Sequence, residues 1–304
     1  VIERAIFRQY DIRGIADIDL TDDNVYQCAR GFGTYYRSHG QDTVIVGQDV
    51  RVSSPRIAAM ISKGLTETGC NVIDIGIVPT PLLYFALHHY DIGNGIMITA
   101  SHNPKEFNGF KIAREKTTIY GDEIQRVYSI IEQGAFVSGK GTREERTIVN
   151  DYIERVTRAM KIAKGLKVAI DTGNGTCGPI AEQLMERIGA DYTILFKKPD
   201  GTFPNHLADP TVPEHITKLI ENVKHDGYVC GIGFDGDGDR IGIIDEKGRI
   251  IWGDVLLAIY AEHVLKTNPG AKVIFEVKCS MGLIERLKQL GAEPIMYKTG
   301  HSLI

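Results

Sequence analysis

Three aspartates at alternate positions, Asp235, Asp237 and Asp239, stand in GFDGDGDR (233–240), with Arg240 directly behind them. Carboxylates this close repel one another unless a cation lies among them. Their spacing matches positions 1, 3 and 5 of a calcium-binding EF-hand loop, and Glu246 falls at position 12. Arg240, however, occupies the sixth position, where the sharp turn calls for glycine, and the flanks GYVCGIGF and IGIID read as strands rather than helices. A Mg²⁺ site fits better, because Mg²⁺ keeps coordination positions for water and phosphate oxygens that three carboxylates leave open. Arg240 is suited to the same phosphate.

A second candidate is GIMITASHNPKEFNGFKI (95–112), where an apolar run delivers Ser101, His102, Asn103 and Pro104 at its carboxyl end. In α/β sheets that end is where ligands bind; an Asn-Pro turn with an incidental serine is the alternative. A Ser-His-Asp hydrolase is disfavoured, since no GxSxG elbow is present and adjacent Ser and His on an extended chain point to opposite faces. Lys111 could act as a cation or, with a depressed pKa, as a base.

Two further stretches are weaker. DTGNGTCG places Gly173, Gly175 and Gly178 in the G-x-G-x-x-G order between a strand and a helix, as dinucleotide-binding folds do. The strand after it, YTILF, lacks the acidic ribose partner, so tight packing is the competing reading. IFRQYDIRG (6–14) sets Arg8 and Arg13 around a Tyr10-Asp11 pair. Nothing in the spacing marks His39, His88, His89, His206, His215, His225 or His263 as ligands. His301, in YKTGHSLI, follows a strand at the position where the other candidates sit.

The elements that must carry these residues repeat. DTVIVGQDVRVSSPRIAAMISKGLTETGCNVIDIG (42–76), LKVAIDTGNGTCGPIAEQLMERIGADYTILF (166–196) and AKVIFEVKCSMGLIERLKQLGAEPIMY (271–297) each run strand, helix, glycine, strand. That is the βαβ signal of a parallel or mixed sheet, and its recurrence predicts an α/β chain of three related domains. Each is expected to hold a mixed, largely parallel sheet sandwiched by helices. The Gly-rich then charged QGAFVSGKGTREER (133–146) precedes a helix with Val149, Tyr152, Ile153, Val156 and Met160 on one face. The boundaries fall accordingly at 1–147, 148–251 and 252–304, and the long Pro-rich loop KKPDGTFPNHLADPTVPE (197–214) is of a length often functional.

With 304 residues, 43% hydrophobic and 24% charged, and a net charge of −4, the chain has a soluble, globular composition and no basic run suited to nucleic acid or membrane. Its five scattered cysteines show no disulfide or zinc spacing and suit a reducing cytoplasm. No leader or membrane-length apolar run is visible, and the missing initiator Met suggests a trimmed chain.

Taken in order, YDIRG, TASHNP with NGFKI, GFDGDGDR and KTGH resemble the α-D-phosphohexomutase family, in particular its phosphomannomutase/phosphoglucomutase branch, along essentially the whole chain. The resemblance implies reversible movement of phosphate between the 6- and 1-positions of mannose or glucose, through a phosphoserine and a hexose 1,6-bisphosphate intermediate. Ser101 would be the phosphoserine, and Asp235, Asp237 and Asp239 would hold Mg²⁺ against its phosphate. Tyr10, Arg13, His102, Lys111, Arg240 and His301 would surround the reacting groups. Lys111 and His301 would transfer protons, Arg13 and Arg240 would stabilise charge, and Lys278 would contact substrate phosphate. A phosphosugar, with neither nucleic acid nor membrane, is the implied partner, and a monomer is expected. Family members continue beyond Ile304 through the rest of the third domain, with a sugar-recognition loop of the form GEMSGH, and a fourth, phosphate-gripping domain; against them the third domain is truncated, and a chain ending here is expected to turn over poorly. A calcium-binding module, or a phosphatase that hydrolyses its phosphoserine, are the rival functions.

Overall fold

The computed structural model describes residues 2–158, 160, 165–300 and 302–303. Its first unit is built on a mixed sheet. β1 (Ile12–Ile15) leads to α1 (Asp22–Ser38), β2 (Thr43–Gln48), α2 (Ser54–Glu67), β3 (Asn71–Ile77), α3 (Thr80–His89), β4 (Asn94–Ile98), β5 (Phe107–Arg114), β6 (Thr117–Thr118), α4 (Asp122–Gln133) and β7 (Arg143–Glu145). The strands lie in the order β1-β5-β4-β2-β3-β7, with β6 on β5. β2 pairs in parallel with both β3 and β4, while β5 runs antiparallel to β1, β4 and β6.

Period-two alternation decides which face each residue serves. Val44, Val46, Val72, Ile96 and Ile98 face a core shared with α1, α2 and α4. Ile45, Ile73, Ile75 and Met97 face the opposite core, with α3 and residues of the next unit such as Ile148 and Ile180. The sheet is therefore covered on both faces, as its near-continuous apolar strands require.

α5 (Val149–Thr157) opens the second unit and packs Val149 and Tyr152 against the first, while Ile153 is buried. The helix stops at Thr157; Met160, expected on its apolar face, lies beyond it and is half exposed. β8 (Lys167–Asp171), α6 (Gly178–Ile188), β9 (Asp191–Leu195), α7 (Thr217–His225), β10 (Cys230–Phe234), β11 (Ile241–Asp245) and β12 (Ile250–Ile251) follow, in the sheet order β12-β11-β10-β8-β9. α8 (Gly253–Leu265), β13 (Lys272–Glu276), α9 (Met281–Gln289) and β14 (Glu293–Tyr297) form a third unit on a parallel pair.

The three strand-helix-strand repeats are all present: β2 with β3, β8 with β9 and β13 with β14 are each parallel. After their helices Gly69, Gly189 and Gly291 take φ of +84°, +70° and +77°, a region glycine enters without steric cost. In each of the first two sheets the chain steps to one side and then back across its starting strand. This creates a switch point, between β2 and β4 in one and between β8 and β10 in the other, where strand ends open a crevice.

Candidate functional site

The carboxyl end of β4 runs into Thr99-Ala100-Ser101 at the first switch point. Ser101 has φ +52°, a left-handed conformation costing a non-glycine residue about 1–2 kcal/mol, and its amide donates to Thr99 Oγ1 at 2.9 Å. Its hydroxyl, nearly fully buried, donates to Asp235 Oδ2 at 2.6 Å across the seam between the first two units. His102 Nδ1 lies 3.1 Å from the Ser101 hydroxyl oxygen. Because the backbone turns at Ser101, the two side chains meet, contrary to the extended-chain expectation. The arrangement is still not a hydrolase relay: the carboxylate bonds the serine, not the imidazole.

The aspartates occupy the β10–β11 hairpin at the second switch point, with the turn made by Gly238 at φ +71°. Asp235 and Asp237 are fully buried, Asp239 is a quarter exposed, and their carboxylate oxygens lie within 4.8 Å of one another. Glu246, at the twelfth position of the calcium pattern, is exposed and outside this cluster. Lys111, pointing in from β5, donates to Asp237 Oδ2 at 2.8 Å and Asp239 Oδ2 at 2.5 Å.

Burial, then the charges of Asp237 and Asp239, push the Asp235 carboxyl up to about 8. Burial acts the same way on Asp237, but Lys111 outweighs it and holds that carboxyl well below the usual range. Burial would lower the Lys111 ammonium, yet the two aspartates hold it above its ordinary value. Of the two roles left open for Lys111, cation and depressed-pKa base, the geometry supports the cation. One buried acceptor, Asp237 Oδ1, has no hydrogen-bond partner among the described residues. An unpartnered carboxylate oxygen within a strained acidic cluster fits a hard divalent cation.

Around this centre, the Arg240 amide donates to Asp235 Oδ1 at 3.0 Å, and its guanidinium stands 4.0 Å from Asp209. Arg13, on β1, donates to Asn103 Oδ1 at 2.9 Å and to Asp11 at 2.5 Å, beside the Ser101 segment. The Tyr10 hydroxyl donates to the Thr299 carbonyl at 3.0 Å, which brings YDIRG against the KTG stretch of the third unit. His301 lies outside the described residues. Lys278 stands on an exposed turn after β13, 3.7 Å from Glu276.

Family profiles for phosphoglucomutase/phosphomannomutase α/β/α domains I, II and III match residues 4–138, 150–248 and 252–304. The chain belongs to the phosphoglucomutase/phosphomannomutase family. A phosphomannomutase/phosphoglucomutase of Pseudomonas aeruginosa is 42% identical over 99% of this chain, and a phosphoglucomutase of Neisseria meningitidis serogroup A is 41% identical over all of it. The chain spans 65% and 66% of their respective lengths. The crystal structure of a phosphoglucomutase/phosphomannomutase family protein from Burkholderia thailandensis superimposes with a TM-score of 0.96 at 39% identity, covering the whole of this chain and 68% of that one.

Within this phosphoglucomutase/phosphomannomutase fold, several supports of the site escaped the sequence reading. Thr80, first residue of α3, donates its hydroxyl to Asp237 Oδ2 at 2.6 Å and its amide to the Asp237 carbonyl at 2.7 Å. The sequence VPTP marks a helix start but not what that start touches. The G-x-G-x-x-G loop packs against the metal-loop candidate. Thr176 donates its amide to the Gly236 carbonyl at 3.0 Å, and a Cβ at Gly175 would lie 2.7 Å from that oxygen. These glycines allow close approach of two backbones, which is the packing reading. His206, read as unremarkable, sets Nε2 3.2 Å from both oxygens of the buried Asp171 behind the same loop. Burial works against the charged imidazole, but Asp171 and the Leu207 carbonyl outweigh it and raise its pKa. Arg51 lies buried beneath the Ser101 segment; its signal was the charged run QDVRVSS (48–54) at the end of β2, where ligand sites gather.

Proposed function

We propose that this chain carries the phosphoryl-transfer centre of a phosphohexomutase. It moves phosphate reversibly between the 6- and 1-positions of mannose or glucose through a phosphorylated Ser101 and a hexose 1,6-bisphosphate intermediate. The observation that carries the reading is the 2.6 Å contact of the buried Ser101 hydroxyl with Asp235, within a cluster of three aspartates and one lysine. For this purpose the chain divides into a phosphoserine unit (1–147), a metal-binding unit (148–251) and the start of a sugar-recognition unit (252–304).

Asp235, Asp237 and Asp239 would hold Mg²⁺ together with an oxygen of phosphorylated Ser101. A divalent ion there would offset the phosphate's charge of about −1.5 to −2 and make its phosphorus a better electrophile. The residues of the chain do the remainder. The Ser101 oxygen carries the phosphoryl group and takes it back. To the protonated Lys111, which donates to Asp237 and Asp239, we assign proton donation to a leaving oxygen. Arg240 and Arg13 would balance charge spread over the transferring group, with His102 beside Ser101. We assign His301 the proton-transfer role on the sugar side, and Tyr10 and Lys278 contacts with the phosphosugar.

Incubating the chain with glucose 1,6-bisphosphate and Mg²⁺ and measuring intact mass tests this. One phosphate is expected to add to the wild-type chain and none to Ser101→Ala. No uptake, or equal uptake by the alanine variant, overturns the mutase reading. Slow loss of the added phosphate to water, without appearance of a hexose monophosphate isomer, would point to the phosphatase instead. A calcium module predicts tight Ca²⁺ binding indifferent to Ser101.

A further inference from the structure

Arg51 is among the largest fully buried side chains, and its side chain has no exposure at all. A guanidinium has five N–H donors and cannot lose its charge in a protein, so each donor needs a partner. All five are accounted for. Nε donates to Asp49 Oδ2 at 3.1 Å. Nη1 donates to the carbonyls of Pro104 and Phe107 at 2.7 and 2.9 Å. Nη2 donates to those of Ser101 and Asn103 at 2.9 and 2.7 Å. With every donor used inside the protein, Arg51 has nothing left for a substrate. What it grips is the backbone of the segment that presents the Ser101 hydroxyl.

That segment needs gripping. It departs from β4 through the left-handed Ser101 and returns to β5 at Phe107, and four of its carbonyls converge on one cation. Asp49 is held in turn by the Ser54 hydroxyl at 2.6 Å and the Arg51 amide at 3.0 Å, so the fork has a fixed origin at the first switch point. Lysine could not replace it, because an ammonium offers three donors from one point and no planar fork.

The lid over Arg51 comes from the second unit. The Phe203 ring lies 5.4 Å from the guanidinium carbon, and a Cβ at Gly201 would fall 2.2 Å from the Val50 carbonyl oxygen, so the 197–214 loop is pressed against the Arg51 turn. Phe203 itself has φ +49°. A Cβ at Gly236, in the aspartate hairpin, would lie 2.7 Å from the Ser101 carbonyl oxygen and 3.7 Å from the Phe203 ring.

We propose that Arg51 is the positioning residue of the transfer reaction, fixing segment 101–107 so that the Ser101 hydroxyl meets Asp235, and that Phe203 locks Arg51 in place when the second unit is docked. The inference rests on the reading of Ser101 as the phosphate carrier. Its site is distinct from the reacting groups, since the hydrogen bonds of the guanidinium go, among the described residues, to carbonyls of the segment and to Asp49.

The test compares wild type, Arg51→Lys and Phe203→Leu in two measurements. One is the rate of Ser101 phosphorylation by glucose 1,6-bisphosphate over a range of concentrations. The other is hydrogen exchange of backbone amides in 99–108. Misplacing a reacting group by about 1 Å can cost about 100-fold, so Arg51→Lys is expected to lose about that in maximal rate, with the half-saturating concentration changed by less than about threefold. Exchange in 99–108 should quicken while amides of β2 and β4 keep their protection. Phe203→Leu should move both readouts the same way, its rate falling about tenfold or less. If Arg51→Lys does not fold, Phe203→Leu decides. Unchanged rate and exchange in a folded variant overturn the proposal, as does a loss confined to the half-saturating concentration. Should the wild-type chain take no phosphate, the functional reading falls, while the exchange measurement still decides whether Arg51 holds the segment.

Discussion

Asp235 is buried beside two other carboxylates, and its carboxyl is raised to about 8 from an ordinary 3.8. The folded, metal-free chain therefore binds a proton that the unfolded chain has released, and stability present at low pH is lost as pH rises through that window. We expect the unfolding free energy in chelator to fall between about pH 5 and about pH 8, measured by denaturant titration. Asp235→Asn should flatten that slope and abolish Mg²⁺ binding; an unchanged slope would assign the proton elsewhere. The three aspartates could be singled out from residue type and spacing alone, because like charges in a turn demand a counter-ion wherever they lie; Ser101 was marked by its place at the end of an apolar run, and its role by the company of the other motifs. Thr80 and Arg51 could not. Each acts through atoms 50 to 157 residues away, and only tertiary packing shows where their donors go.

Elements were more legible than contacts. Strand, helix, glycine and strand recur three times, and the parallel pairing of each repeat follows from local pattern plus the need for a crossover helix. The end of α5 was less so, since an apolar period that reaches Met160 does not oblige the helix to continue. The role of the glycine-rich loop needed the hairpin it touches. Gly175→Ala should weaken Mg²⁺ binding and destabilise the chain by about 1–3 kcal/mol, because the new methyl group meets the Gly236 carbonyl. Gly189→Ala faces open space and should cost only the left-handed penalty, about 1–2 kcal/mol, with metal affinity intact. Calorimetric Mg²⁺ titration of both separates hairpin distortion from general destabilisation.

At the scale of the whole molecule, the centre belongs to neither sheet. The first unit supplies Ser101, Lys111 and Thr80, the second the aspartates, and the switch points of both sheets face one seam. A cation bound there is linked to docking as well as to folding. Mg²⁺ at 100 times its dissociation constant should stabilise the chain by about 2.7 kcal/mol, with the first two units melting together rather than in sequence. Two separate transitions, only one of which moves with Mg²⁺, would contradict this. The Tyr10–Thr299 hydrogen bond spans 289 residues, and the entropy of closing a loop that long grows only as the logarithm of its length but is recovered only once all three units are in place. In kinetic terms we expect that contact to act as a latch closed after the folding barrier: Tyr10→Phe should quicken release of the third unit in unfolding kinetics and leave the rate of its assembly unchanged, and a slowed assembly would place the contact before the barrier.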